Sequence, residues 1–412
     1  MSMEPECGCE ENRLSRRRLL AAAGAGLAVA VADTGLAYAA DPGYDGDVLV
    51  LLSLRGGFDG LSAVVPAGDA DYYTLRPSIG VPQSQLIGVD GLFGLHPALA
   101  PLLPLWTGGQ LAAIHAAGQA APNRSHFEAM EQLEQAAPAS RTRTGWLNRM
   151  VGMFGEPEVF QAVSMGTAMP ARVLGGLSVT SIDRTVLSGE QAGRPIAATM
   201  DRLYASAPAA LKRTSGQLTD ALGYASGLRA AGYQPANGAA YPATDLGAAL
   251  KDTARLIKSR AGLRAVTVDC GDWDMHENLG PAVAGRWMFD QLKALATGLA
   301  AFAADLGPET LRRVTLVTVS EFGRRVAQNG SGGVDHGWGN AMFVLGGNVK
   351  GGKVYGRWPG LSGGCLRDGD LDVTTDYRQA IGEILQARCG VSDTGTVFPG
   401  VTPSALGIVT AR

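Results

Sequence analysis

Four short segments of this chain place carboxylates, imidazoles or a hydroxyl where they could do chemistry. The first is Gly57-Phe58-Asp59-Gly60. A carboxylate flanked by glycines suits a metal ligand, because the backbone can approach closely there; the same residues also fit an Asp-Gly turn. The second is Asn123-Arg124-Ser125-His126-Phe127-Glu128. Ser125 and Glu128 stand at capping-box spacing, which marks Ser125 as a helix N-cap. A helix N-terminus also favours anions, so a serine there could serve as a nucleophile as well. The third is Asp272-Trp273-Asp274-Met275-His276, whose two carboxylates and imidazole suit a divalent ion with mixed oxygen and nitrogen ligands. The fourth starts with Ser320-Glu321-Phe322-Gly323-Arg324 and continues, past a glycine-rich loop, into Asp335-His336-Gly337. Of the five histidines, His126, His276 and His336 lie in these clusters, so the clusters reinforce one another; His96 and His115 read as structural.

Two near matches to known motifs read as loops. Gly347–Lys353 resembles a P-loop, but Val354 stands where the Mg²⁺-binding Ser or Thr belongs. Gly360-Leu361-Ser362-Gly363-Gly364 has the spacing of a nucleophile elbow, but Pro359 precedes it and no helix pattern follows.

Each cluster needs an element to position it. Residues 47–54 form an almost wholly apolar run, the pattern of a strand buried on both faces, and similar runs recur at 110–116, 159–163, 263–269 and 314–319. Helical patterns lie between them at 209–231, 245–261 and 285–306. This alternation predicts an α/β fold, a mostly parallel sheet with helices on both faces. Such sheets bind ligands at the carboxyl ends of their strands, which is where the first, third and fourth clusters fall. The Gly/Pro/Ala-rich stretch 232–242 is the best candidate for a flexible linker.

The N-terminus reads as an address. Ser15-Arg16-Arg17-Arg18-Leu19-Leu20 is a twin-arginine pattern, followed by an apolar stretch at 19–32 that is shorter than the roughly 20 residues a membrane span takes. Ala37-Tyr38-Ala39 supplies the small residues of a cleavage site, so residues 1–39 are expected to be a signal peptide and 40–412 a single mature domain. With 46% hydrophobic and 18% charged residues the chain can bury a sizeable core. A formal charge of −3 without a basic run outside the leader argues against a nucleic-acid partner, and no later apolar run is long enough for a membrane anchor. Cys7 and Cys9 leave with the signal. Of the remaining Cys270, Cys365 and Cys389, the last two could form one bridge, and Cys270 reads as a buried thiol.

Taken in order, the twin-arginine leader, Leu54-Arg55-Gly56-Gly57-Phe58-Asp59-Gly60, Asn123-Arg124-Ser125-His126-Phe127, Asp274-Met275-His276, Ser320-Glu321-Phe322-Gly323-Arg324 and Asp335-His336-Gly337 resemble the bacterial family catalogued as domain of unknown function 1501. The resemblance implies an alkaline phosphatase-like fold, shared by phosphatases, sulfatases and cofactor-independent phosphoglycerate mutases. It implies Asp59 as the carboxylate ligand after the first strand and Ser125 as a helix-capping nucleophile. It further implies Asp274, His276 and His336 as one metal's ligands, with Glu321 in place of an Asp of a second metal. The chain departs from the superfamily pattern at Glu321-Phe322, where Asp-His is usual, and Asp272 rather than Asp274 has the usual Asp-x-x-x-His spacing. Arg324 could replace part of the missing positive charge, which suits one metal rather than two.

The expected protein is thus a periplasmic or extracellular hydrolase of a phosphate or sulfate ester, small or polymeric. It would hold one divalent ion (Zn, Mn, Mg or Ca) firmly, with a second left open, and meet the twin-arginine translocase during export. Phosphate leads, because the Cys/Ser-x-Pro-x-Arg context of a formylglycine sulfatase is absent. The rival from another class is a non-catalytic exported binding protein with a degenerate metal site. Changing both Arg16 and Arg17 to Lys is expected to strand the precursor in the cytoplasm, as read by cell fractionation; normal export of that double mutant would refute the leader assignment.

Overall fold

The computed structural model describes residues 44–138, 140, 142, 144–154, 161–165, 179–182, 202–208, 212, 232–402 and 404–412. The leader and most of the helix expected at 209–231 lie outside the described residues. The main sheet is built from β1 (Val48–Leu54), β2 (Leu111–Gly118), β3 (Ala162–Met165), β4 (Val179–Ile182), β5 (Ala265–Cys270), β6 (Val314–Val319) and β7 (Asn340–Gly346), with the short β8 (Val354–Tyr355) and β9 (Thr375–Asp376). Their order is β8-β2-β7-β6-β1-β5-β3-β4, and β9 also pairs with β2. The pairings are parallel except the two made by β7, which runs antiparallel to β2 and β6. This is the mostly parallel α/β sheet that the alternating pattern predicts.

The helices that cover the sheet include α1 (His126–Gln135), α2 (Trp146–Gly152), α3 (Asp245–Lys258), α4 (Trp287–Leu311) and α5 (Tyr377–Arg388). All seven residues of β1 are buried, and its alternate residues face different layers. Val48, Val50, Leu52 and Leu54 pack with Leu246 and Leu250 of α3 and with Leu292, Leu299 and Phe302 of α4. Leu49 and Leu51 join Met130 and Leu133 of α1, Trp146 and Met150 of α2 and Ile381 and Leu385 of α5. A strand between two helical layers has no solvent face, so its sequence shows a continuous apolar run instead of alternation. Helix starts are capped locally: the Thr244 side chain accepts from Gly247 N and Asp376 from Arg378 N. Gly307 at φ 67 breaks α4 one residue before Pro308, which is why the helical pattern stops at residue 306. Among the described residues, no helix is long and apolar enough to cross a membrane.

The segment 232–242, expected as a linker, is tied down by Asp305 of α4, a wholly buried carboxylate. It accepts from Tyr233 Oη (2.7 Å), Ala236 N (2.7 Å) and Tyr241 Oη (2.8 Å), and Lys258 Nζ lies at 2.5 Å. The Cys365–Cys389 bridge does not form; Cys270, Cys365 and Cys389 are all free thiols. Burial pushes the Cys270 thiol up to about 11. Ser362 is the exposed cap of a one-turn 3-10 helix at Gly363–Cys365, without the strand and helix of an elbow.

Asp59 starts a one-turn helix after β1, but its carboxylate makes no capping bond. Arg76, itself wholly buried, holds both oxygens, with Nη1–Oδ2 at 2.6 Å and Nη2–Oδ1 at 2.9 Å. Burial opposes the ionised form, yet the guanidinium outweighs it and holds the Asp59 carboxyl below its usual range. Asp59 is therefore a structural ion-pair partner in this structure and not a member of a ligand set. Breaking a buried pair leaves an uncompensated charge, so Asp59→Ala should destabilise the fold by about 3–5 kcal/mol. The same variant should keep the metal content of the refolded protein. Denaturant midpoints with elemental analysis check both; loss of metal at unchanged stability would return Asp59 to the ligands.

Candidate metal centre

The carboxyl ends of three adjacent parallel strands, β6, β1 and β5, deliver most of the centre. Ser53 of β1 lies between Val319 of β6 and Asp269 of β5, so the loops after all three leave the sheet at one level. β6 leads into Glu321 and Arg324, β1 into Gly56 and Gly57, and β5 into Asp274 and His276. Because β7 is antiparallel, it begins where its neighbours end, and the loop before it brings Asp335 and His336 to the same edge. His126 arrives from the first turn of α1, whose Ala129, Met130 and Leu133, at i+3, i+4 and i+7, are buried and set that face toward the sheet.

At the centre, the Asp274 carboxylate meets three imidazoles. His276 Nε2 lies 3.0 Å and His336 Nε2 3.2 Å from Asp274 Oδ1, and His126 Nε2 lies 3.5 Å from Oδ2. The Nε2 atoms of His276 and His336 are 3.0 Å apart. Each ring is held from behind through Nδ1: His126 by Glu321 Oε1 (2.8 Å), His276 by Asp335 Oδ1 (2.9 Å) and His336 by the Arg124 carbonyl (2.8 Å). All three are acceptors, which assigns the ring proton to Nδ1 and leaves the Nε2 lone pairs aimed inward. Facing lone pairs repel unless a proton or a cation lies between them. His126 Nε2 is moreover buried with no hydrogen-bond partner.

These features fit a divalent ion. Metal-binding histidines characteristically donate their second N–H to a carboxylate or carbonyl, as all three do here. Two nitrogens on a tetrahedral ion with bonds of about 2.0–2.1 Å would lie roughly 3.3 Å apart, within the 3.0–3.5 Å range of the donor distances seen. The donor atoms of His126, Asp274 and His336 all fall within 4.8 Å of one another. His276 lies outside that group but meets the same carboxylate at 3.0 Å.

The surrounding residues fix these donors. Arg324 is buried, and its guanidinium donates to the carbonyls of Gly56, Gly57, Trp273 and Val334 and to Asp274 Oδ1 at 2.7 Å. Burial raises the Asp274 pKa, but the Arg324 hydrogen bond and charge, then His336 and His276, hold it down to about 2. Burial lowers the His336 pKa, disfavouring the charged ring. Glu321 is buried, with Oε1 accepting from Gly56 N at 2.8 Å as well as facing His126, and Oε2 accepting from Ser320 Oγ at 3.1 Å. Gly56 has φ 114 and a Cβ there would meet Asp274 N at 2.7 Å, so only glycine lets β1 and β5 close on the centre.

The structure thus brings the side chains of Asp274, His276 and His336 together and puts Glu321 behind His126. Asp59 stands apart: its buried carboxylate is held in a two-bond pair with Arg76 and lies outside the group of donor atoms that meet. Asp272 is exposed and outside the donor set. The Arg324 side chain is fully buried and each of its nitrogens bonds to protein groups, so it orients Asp274 instead of facing a substrate. Ser125 is the exposed N-cap of α1, but its hydroxyl makes no capping bond, and Glu128 instead accepts from Asn123 Nδ2 at 3.4 Å, so the capping box does not form. His126 as a donor and Asp335 as its neighbour's support escape sequence reasoning. The signal for His126 was its helical phase with Ala129, Met130 and Leu133. His96 and His115 are buried and hold backbone, accepting from Ala98 N and facing Val64 O at 2.9 Å; burial lowers both to about 4.

No curated protein matches the chain. Solved structures similar to it include the C-terminal periplasmic domain of EcEptC from Escherichia coli in complex with Zn, at 12% identity over 76% of each chain with a TM-score of 0.35. The lipoteichoic acid synthase LtaP from Listeria monocytogenes matches at 9% identity, over 84% of this chain and 80% of its own, with a TM-score of 0.35. The PsFucS1 sulfatase from Pseudoalteromonas sp. matches at 13% identity, over 96% and 77%, with a TM-score of 0.37. These are distant likenesses. A family model described as "Protein of unknown function (DUF1501)" matches residues 106–380. That span is most of the chain and includes His126, Asp274, His276, Glu321, Arg324, Asp335 and His336, and the chain accordingly belongs to the DUF1501 family.

Proposed function

We propose that this protein is an exported, metal-dependent hydrolase of a phosphate or sulfate ester, with one divalent ion held by His126, Asp274, His276 and His336. The observation that carries the reading is the convergence of three Nε2 atoms on Asp274 while every Nδ1 faces an acceptor. Three imidazoles with one carboxylate favour Zn²⁺ over the oxygen-seeking Mg²⁺ or Ca²⁺. When bound, such an ion would act as a Lewis acid toward a hydroxyl or an ester oxygen.

The chain's own residues supply position and proton control. Glu321, Asp335 and the Arg124 carbonyl fix the ring tautomers, and Arg324 keeps Asp274 ionised and oriented. Ser125 is the proposed nucleophile: its hydroxyl is exposed, free of a capping bond and next in sequence to His126. The positive end of α1 lies beside it and favours an anionic substrate. A single ion is favoured because both Glu321 oxygens are engaged and the buried Phe322 ring packs 4.8 Å from His126 and 4.6 Å from His336, between ring centroids. That same aromatic plug supports the second reading, a binding protein that keeps the centre without turnover.

Purified mature protein is expected to hold one equivalent of zinc, and Asp274→Asn and His126→Ala to lose it. Glu321→Gln should weaken affinity by about 10–100-fold through the His126 ring. Elemental analysis and a competition titration read these effects, and unchanged zinc affinity in His126→Ala would sink the centre. Ser125→Ala should barely change stability, since no capping bond is lost, yet abolish turnover of phenyl phosphate or phenyl sulfate. If zinc-loaded wild type hydrolyses neither ester, the binding-protein reading takes over.

A further inference from the structure

Phe127 is 91% exposed, against 54% for the next most exposed large hydrophobic among the described residues, Val89. The core does not use it: α1 buries Ala129, Met130 and Leu133, the stripe that continues from His126. Its place in the chain is nonetheless tightly set. Three residues before it, the Arg124 carbonyl holds His336, and one residue before it, His126 faces Asp274. Adjacent Cα atoms lie about 3.8 Å apart, and helical side chains tilt toward the helix N-terminus, here the end that carries the centre. The wall of the centre is already aromatic at this point, because Phe322 packs against both His126 and His336.

We infer that Phe127 is a specificity-determining side chain that offers an aromatic face to the non-reacting part of the substrate, so that the ester taken carries an aryl or similarly planar apolar group. The inference rests on the ester-hydrolase reading of the same centre. A ring left in water one residue along α1 from His126 contributes nothing to packing, whereas an offset or edge contact with a planar group would contribute to binding.

The test uses the zinc-loaded mature protein and two non-hydrolysable probes, phenylphosphonate and methylphosphonate, with affinities measured by titration calorimetry. Wild type should prefer the phenyl probe, and Phe127→Ala should shrink the phenyl-to-methyl ratio about threefold to tenfold, with Phe127→Trp restoring it. Phenyl ester turnover should show the same change in KM more than in kcat. Zinc content and melting temperature serve as controls for folding. If both probes bind and the ratio is the same in wild type and Phe127→Ala, the inference fails while the ester reading stands. If neither probe binds loaded wild type, both fail together. An unchanged ratio combined with self-association that Phe127→Ala abolishes would make Phe127 an interface residue and also overturn the proposal.

Discussion

The centre depends on one buried guanidinium. Arg324 reaches from the loop after β6 to carbonyls in the loop after β1 (Gly56, Gly57), in the loop after β5 (Trp273) and in the segment before β7 (Val334), and ends on Asp274. Three loops that differ widely in sequence position are thereby joined through a single planar cation. Arg324 supplies donors to carbonyls where the loops crowd together, Trp273 O accepting from Met275 N as well. The same cation keeps Asp274 ionised, so the arrangement that closes the loops also sets the charge of the central donor. Lysine, a compact point charge on a flexible stem, could not span this set of acceptors in one plane.

The sheet topology makes that convergence achievable. Parallel strands leave all their following loops on one edge, and β6, β1 and β5 are neighbours, so their loops meet at short range. The antiparallel β7 begins at this same edge, so the β6–β7 connection stays there along its length and carries Asp335 and His336 as well as Glu321 and Arg324. α1 contributes the remaining imidazole through its first turn. Arg55 helps anchor that helix, pairing with Asp269 at 2.9 Å at the end of β5 and with Glu134 of α1 at 3.3 Å. Burial raises the Glu134 pKa to about 7 despite Arg55, so this tie is weakest in acid. Below that pKa the carboxyl is neutral and the ion pair with Arg55 is lost, but because the folded pKa lies above the ordinary one, linkage makes this protonation favour the folded state.

Carboxylates divide into two populations in this molecule. Asp47, Asp59 and Asp305 are buried and paired with Arg388, Arg76 and Lys258, and they hold segments together. Asp274 and Asp335 have side chains about half exposed, at 48% and 52%, and face imidazoles, with Arg324 also reaching Asp274. A buried carboxylate needs a strong fixed partner to stay charged, whereas one at an open mouth can remain charged and still coordinate. The distinction explains why Asp59, in a glycine-rich loop at a strand end, works for the fold rather than for the site.

The sequence by itself determined the sheet and the edge at which the chemistry gathers. Apolar runs at 47–54, 263–269 and 314–319 could only be strands covered on both faces, and polar residues just past them had to emerge at one rim. The rarity of histidine did the rest, pointing to His276 and His336 through clusters that no buried strand would tolerate. What only the tertiary structure decided was which polar group meets which. Asp59 and Asp274 look equivalent in sequence, but Arg76 lies 17 residues from one and Arg324 lies 50 residues from the other, and no local pattern reveals a pairing across such separations. His126 could be read as an ordinary first-turn residue until α1 was docked on the sheet with Glu321 behind its ring. Local sequence sets backbone propensity and burial period, which act over a few residues. Donor sets and ion pairs are decided by distances in space, and those exist only once the loops have closed around Arg324.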